Sequence, residues 1–220
     1  MDEKYQRVVV LGDPGSGKST LLQWLALQWA EEPTGQLPLL IELREYTRDR
    51  VKSASFVEFF HQGTRTIYKL NQLDLDQQLR SGSALVMFDA LDEVVSPDDR
   101  QAVITEIINF SNEYDKAKIV ITSRIIGYNA EYLRAAEFRH LTLQDLNQSQ
   151  IWNFIDKWYE LALGGDPERE KLIARLKDAI ESSSAIAELA RNPLLLTMMA
   201  ILNRRQELPR DRTELYDQAS

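Results

Sequence analysis

The spacing G-x-x-x-x-G-K-[ST] is met at every fixed position by Gly12-Asp13-Pro14-Gly15-Ser16-Gly17-Lys18-Ser19, with Thr20 following. Such a stretch suits neither a strand nor a helix, and the chemistry it points to is phosphate binding. Glycines let the backbone wrap around phosphate oxygens with N–H groups pointing inward, and the positive end of a following helix adds about 0.3–1 kcal/mol in exposed settings. Lys18 would reach the β- and γ-phosphates, while the Ser19 hydroxyl would bind Mg²⁺. The plainer reading is a glycine-rich turn that merely links a strand to a helix. The context favours phosphate: the run Arg7–Leu11 reads as a buried strand, and Leu21, Leu22, Leu25 and Trp29 recur at helical spacing afterwards.

A phosphate loop needs a metal partner, and Leu85-Val86-Met87-Phe88-Asp89 is an apolar run delivering a carboxylate at its carboxyl end, where ligands of open α/β sheets bind. Asp89 is therefore the candidate Mg²⁺ residue beside Ser19. Many P-loop ATPases place a water-activating glutamate directly after the metal aspartate; here Ala90 holds that position, and Asp92 and Glu93 are both candidates for the general base. A third apolar run, 118–123, ends in Thr122, Ser123 and Arg124, and a guanidinium there is suited to sensing a γ-phosphate.

Four strands are predicted to position these groups, over Arg7–Leu11, 37–43, Ala84–Asp89 and Lys118–Ser123. Helical patterns occupy Lys18–Glu31, 55–68, 74–80 and 97–112. Strands alternating with helices imply a mostly parallel sheet. From about residue 147 only helical patterns follow (147–161, 167–182 and 193–204), so the sequence predicts a nucleotide-binding core over 1–145 and a helical lid over 146–204.

Composition narrows the remaining classes. The 220 residues contain no cysteine, which excludes disulfides, thiolate metal sites and cysteine nucleophiles and fits a reducing, cytoplasmic setting. His61 and His140 are too few and too far apart in sequence for a histidine metal cluster. With 26 basic against 34 acidic side chains the formal charge is -8, which repels a phosphate backbone and argues against nucleic acid as a partner. The apolar stretch 193–202 is about half the length of a bilayer span, so no membrane partner is expected. The start runs almost at once into a strand, with no room for a signal peptide. Both ends read as cuts inside a longer protein.

Together "GDPGSGKST", "LVMFDALDEV", "IVITSRIIGY" and "ARNPLLLTMMAIL" resemble the NACHT family of the STAND class of P-loop NTPases, over about residues 7–202. The resemblance implies a three-layer αβα P-loop NTPase fold with a mostly parallel five-stranded sheet and a small helical subdomain. It also implies that the Arg124 strand lies between the phosphate-loop strand and the Asp89 strand. The nucleotide would be ATP or ADP with Mg²⁺, bound by residues Gly12 to Thr20. Asn192 and Pro193 would be candidate contacts to the base, although Pro193 reads equally well as a helix start. Arg44 stands where family members often carry a basic residue near the nucleotide, but a solvated arginine is the simpler reading. Residues 205–220 resemble the lead-in to a following winged-helix-like region. The activity implied is slow NTP hydrolysis, ATP by family habit with GTP open, in a signalling switch that self-associates in its ATP state. Its effector and sensor domains would lie elsewhere in the chain, and its role would be in innate immunity, cell death or antiviral defence. The alternatives are an AAA+-like motor and, further off, a P-loop small-molecule kinase.

Overall fold

The computed structural model describes residues 6–31, 36–49, 55–62 and 71–204. Within these the chain forms two compact units. The first comprises the segment up to Asp13 together with Lys18–Leu143, and the second Pro14–Gly17 together with the chain from Gln144 onward.

The first unit is built on strands β1 (Arg7–Leu11), β2 (Leu37–Glu42), β3 (Ala84–Asp89), β4 (Lys118–Ser123) and β5 (Arg139–Thr142), in spatial order β2-β3-β4-β1-β5. Every pairing is parallel. The strand ending at Ser123 does lie between the other two motif-bearing strands. The inner strands read as continuous apolar runs because both faces are covered. Val9, Val86, Phe88, Ile119 and Ile121 enter the larger core, while Val8, Val10, Met87 and Val120 pack with Leu22 of α1 (Lys18–Glu31).

The larger core is mostly aliphatic and holds an aromatic cluster at its centre that includes Tyr46, Phe56, Phe88 and Phe110. It receives α2 (Leu43–Asp49), α3 (Phe56–Gln62), α4 (Gln72–Ser81), α5 (Pro97–Glu113) and α6 (Glu131–Ala135). The Phe56 and Phe88 rings sit 4.7 Å apart, and Phe110 meets Phe88 edge-on at 6.0 Å, within the range that favours tilted and edge-to-face pairs.

The second unit contains α7 (Gln148–Leu163), α8 (Glu168–Ser182), α9 (Ser184–Ala190) and α10 (Pro193–Leu202). Ile151, Ile155 and Tyr159 on α7, and Leu172, Leu176 and Ile180 on α8, recur every fourth residue and form one apolar stripe each. No helix among the described residues is long and apolar enough to cross a membrane. Only α9 and α10 together reach that composition, and they bend by 116° at the break.

Several elements depart from the sequence expectation, among them α6, only five residues long with Leu133 as its one buried residue. Strand β2 stops at Glu42 and α2 begins at once; its buried Leu43 and Tyr46 are three residues apart, too short a pattern to stand out. Strand β5 is mostly exposed and polar, so only its pairing with β1 defines it. Helix α9 is seven residues long, capped by Ser183, and equally short on periodicity. The helix expected over 55–68 is seen over Phe56–Gln62; residues 63–70 lie outside the described residues, as do 205–220.

Candidate functional site

The parallel register brings the motif ends level. Phe88 pairs with Ile121 and Ile121 with Val9, so Asp89, Thr122 and Val10 fall one residue further along, at the carboxyl edge of the sheet. Beyond them Leu11 pairs with Ser123, and the Gly12 amide donates to the Ser123 carbonyl at 3.3 Å. The loop therefore leaves β1 alongside the strand that carries Arg124.

Lys18 opens α1 with Ser19 and Thr20, which are exposed on the first turn. Its ammonium donates to the carbonyls of Gly12 at 2.9 Å and Asp13 at 3.0 Å. Burial pushes its pKa below the ordinary lysine value. The carboxylates of Asp92, Asp89 and Asp13 oppose that shift, and Arg124 adds to it. The charges acting on Lys18 are thus the acids and the arginine singled out by the motifs, which the fold of the first unit gathers around one ammonium.

Asp89 is 9% exposed, and its Oδ1 accepts from the Thr122 hydroxyl at 2.5 Å. Thr122 Oγ1 in turn accepts from the Ala90 amide at 2.8 Å. This hydroxyl therefore fixes both the acid and the residue after it. Its place next to last on the strand was visible in the sequence, but its partners were not. Ala90 sits at φ 58°, in the left-handed region that disfavours residues with large or branched side chains.

Asp92 and Arg124 clasp each other: Arg124 Nε meets Asp92 Oδ2 at 2.9 Å, and the Arg124 amide donates to Asp92 Oδ1 at 2.9 Å. Both oxygens of one base candidate are thereby engaged by the sensor candidate. Glu93 is more open, with Arg44 at 3.9 Å across an exposed pair. Behind Asp92, Arg100 of α5 donates to the carbonyls of Asp92 and Val94 and holds the turn Leu91–Glu93. A cavity of about 120 Å³ lies there, lined by Asp92, Arg100, Gln101, Ser123 and Tyr128 among others.

The loop centre belongs to the second unit. Gly15 and Gly17 have φ of 78° and 93°, conformations that glycine adopts readily. A Cβ on Gly15 would fall 2.8 Å from both Asn192 Oδ1 and Leu194 Cβ, whereas one on Gly17 would meet nothing within 4 Å. The Asn192 side chain accepts from the Leu194 and Leu195 amides and donates to the Pro14 carbonyl at 3.0 Å, and Pro193 is the first residue of α10.

These residues suit a phosphate group. The Ser16 hydroxyl is buried without a partner, and the open side of Gly17 leaves backbone accessible. Among the described residues no group of three or more metal-binding acids or histidines exists. A single serine hydroxyl with a single carboxylate, Ser19 and Asp89, is the sparse protein donor set expected for Mg²⁺, which is usually bound through one or two carboxylates plus substrate phosphates.

A parallel sheet with a glycine loop after β1 and an acid closing β3 defines a P-loop NTPase fold, the framework of a nucleotide-binding module. The chain belongs to the NACHT domain family, whose pattern it matches over residues 6–162. It is 27% identical over 221 residues to an uncharacterized WD repeat-containing protein of Nostoc sp. (strain PCC 7120). That match takes in 90% of this chain and 14% of the relative's length. Among solved structures it is similar to domain III of the Thermotoga maritima replication initiation protein DnaA, with TM-score 0.56, 14% identity, and coverage of 97% of this chain and 83% of that one. It is also similar to AMPPCP-bound DnaA from Aquifex aeolicus, with TM-score 0.54, 15% identity, and coverage of 91% and 56%. At such identities the two likenesses speak to the fold alone.

Proposed function

We propose that this module is an ADP/ATP-controlled switch that hydrolyses nucleotide slowly. The observation that carries this reading is the clasp between Arg124 and Asp92, which occupies a γ-phosphate sensor and a base candidate with each other. Family membership and the AMPPCP-bound fold relative support nucleotide as the ligand. Residues Gly12 to Thr20 hold the phosphates, and Lys18 exchanges the Gly12 and Asp13 carbonyls for phosphate oxygens. Mg²⁺ bound between Ser19 and Asp89 would supply charge neutralisation at the phosphates. Arg124 turns from Asp92 towards the γ-phosphate. Glu93, the less engaged acid, polarises the attacking water, while Asp92 orients Arg124. Asn192 and Pro193 remain candidates for the base side.

The relative of which this chain spans 14% supports a module inside a longer polypeptide. We place the nucleotide core over 1–145, the helical lid over 146–204, and the lead-in to a winged-helix-like region over 205–220. Self-association in the ATP state, a cytoplasmic setting and a role in defence or cell-death signalling complete the proposal.

Calorimetry with ADP and Mg²⁺ tests the ligand. The wild type should bind tightly and Lys18→Ala should not; a folded protein that ignores nucleotide would sink the reading. Single-turnover hydrolysis tests the acids: Glu93→Gln should slow the chemical step by about 10²-fold or more, and Asp92→Asn less so. Fast turnover stimulated by a polymer would favour a motor instead.

A further inference from the structure

Within the second unit, the loop residues Pro14 and Gly15 are bonded to the first turn of α10, and the residue that makes this bond has an unusual donor set. An N-cap needs only an oxygen, which Ser, Thr, Asp and Asn supply about equally well. Asn192 does more. Its Oδ1 accepts from the amides of Leu194 at 3.0 Å and Leu195 at 3.3 Å, and its Nδ2 donates to the Pro14 carbonyl at 3.0 Å. Asp has no N–H for that second task, and Ser or Thr would have to spend its single hydroxyl proton on it.

Pro193 contributes no amide hydrogen, so the first N–H of α10 is that of Leu194, which is shared between Asn192 Oδ1 and the Gly15 carbonyl at 3.2 Å. Gly15 completes the fit, since a Cβ there would sit 2.8 Å from Asn192 Oδ1. These are two bonds, Asn192 to Pro14 across 178 positions of sequence and Leu194 to Gly15 beside it, closed around a residue with no room to grow.

The far end of α10 is also anchored. Asn203, fully buried, donates from Nδ2 to the Tyr159 hydroxyl at 2.7 Å and to the Leu172 carbonyl at 2.8 Å, and its Oδ1 accepts from Arg175 Nε at 2.7 Å. The Tyr159 hydroxyl donates to the Ala200 carbonyl at 2.9 Å. Helix α10 is therefore gripped by α7 and α8 at one end and grips the loop centre at the other.

We propose that Asn192 is a positioning residue for the phosphate loop, holding Pro14–Gly15 in register with α10 so that loop occupancy and the order of α7–α10 are one equilibrium. The inference rests on the nucleotide-binding reading for its consequence, although its structural half stands without ligand. A ligand that orders the loop stabilises α10 by the same free energy with which α10 preorganises the loop, because coupling is reciprocal.

The test compares wild type, Asn192→Asp and Asn192→Ser in the full 220-residue chain by hydrogen exchange of peptides covering 11–21 and 193–204, with and without ADP and Mg²⁺. Both variants keep a capping oxygen, so exchange over 193–204 without nucleotide should stay within twofold of wild type. Exchange over 11–21 should speed by about 10-fold or more, the loss of one bonded contact. ADP should slow exchange over 193–204 in wild type and not in Asn192→Asp, whose ADP Kd should weaken by about 10-fold through carboxylate repulsion from the Pro14 carbonyl. Loop exchange unchanged in both variants overturns the proposal. Should Asn192→Asp fail to fold, Asn192→Ser decides by the same measurements. A wild type that ignores ADP sinks the nucleotide reading, while the ligand-free loop exchange still decides the role of Asn192.

Discussion

Ala90 illustrates how much local geometry one position carries. It follows the candidate metal acid at φ 58°, and its amide is spent on the Thr122 hydroxyl. A small side chain suits that conformation, and none suits it better: Ala90→Gly should raise unfolding stability by about 0.5–1 kcal/mol, read from the urea midpoint. Thr122→Val is the opposite case, because it keeps the shape and removes the hydroxyl that serves both Asp89 and Ala90. It should cost about 1–3 kcal/mol by removing a partner from the buried Asp89 carboxylate and from the partly buried Ala90 amide, and a variant as stable as wild type would mean that water replaces the hydroxyl.

At the scale of the elements, β5 and α10 are both tied down by polar contacts. On β5, the His140 Nδ1–H donates to the Phe138 carbonyl at 3.0 Å, leaving Nε2 to accept from the Tyr128 hydroxyl at 2.7 Å. Burial raises Tyr128 to about 12, so its proton stays in place as donor. Burial also lowers the His140 pKa, partly offset by the Phe138 carbonyl, with Arg134 adding to the lowering. The folded state therefore binds a proton less readily than the unfolded chain. This contribution to stability is complete above the unfolded histidine value of about 6.5 and declines as pH falls from there towards the folded value. Urea midpoints measured from pH 7.5 to 5.5 should fall less in His140→Gln than in wild type; parallel slopes would remove His140 as the cause. On α10, Tyr159→Phe leaves Asn203 Nδ2 and the Ala200 carbonyl each short of a partner and should cost about 1–3 kcal/mol.

Across the molecule, the aromatic cluster ties the sheet to the helices behind the acidic motif. Phe88 precedes Asp89 and packs against Phe56, tilted, and Phe110, edge-on, so Phe88→Ala should cost about 3–5 kcal/mol and loosen the carboxylate next to it.

The inner strands were legible in the sequence because both their faces are buried, which makes each a continuous apolar run. The phosphate loop was legible because backbone wrapping, an ammonium and a metal hydroxyl require fixed residue types at fixed spacing. β5 was not legible: it is exposed and polar, and its strand character comes from hydrogen bonds to β1. Nor were the partners within each unit, since Arg124 lies 32 positions from Asp92 in the first and Asn192 lies 178 from Pro14 in the second. Spacing along a chain specifies which groups are present, and so the sequence by itself determined a P-loop module with its acids and the arginine that follows its third apolar run. Which groups satisfy one another depends on through-space distance and on the bonds that burial enforces. Only the tertiary structure could therefore decide that Asp92 holds Arg124, that Thr122 holds Asp89, and that Asn192 holds the loop.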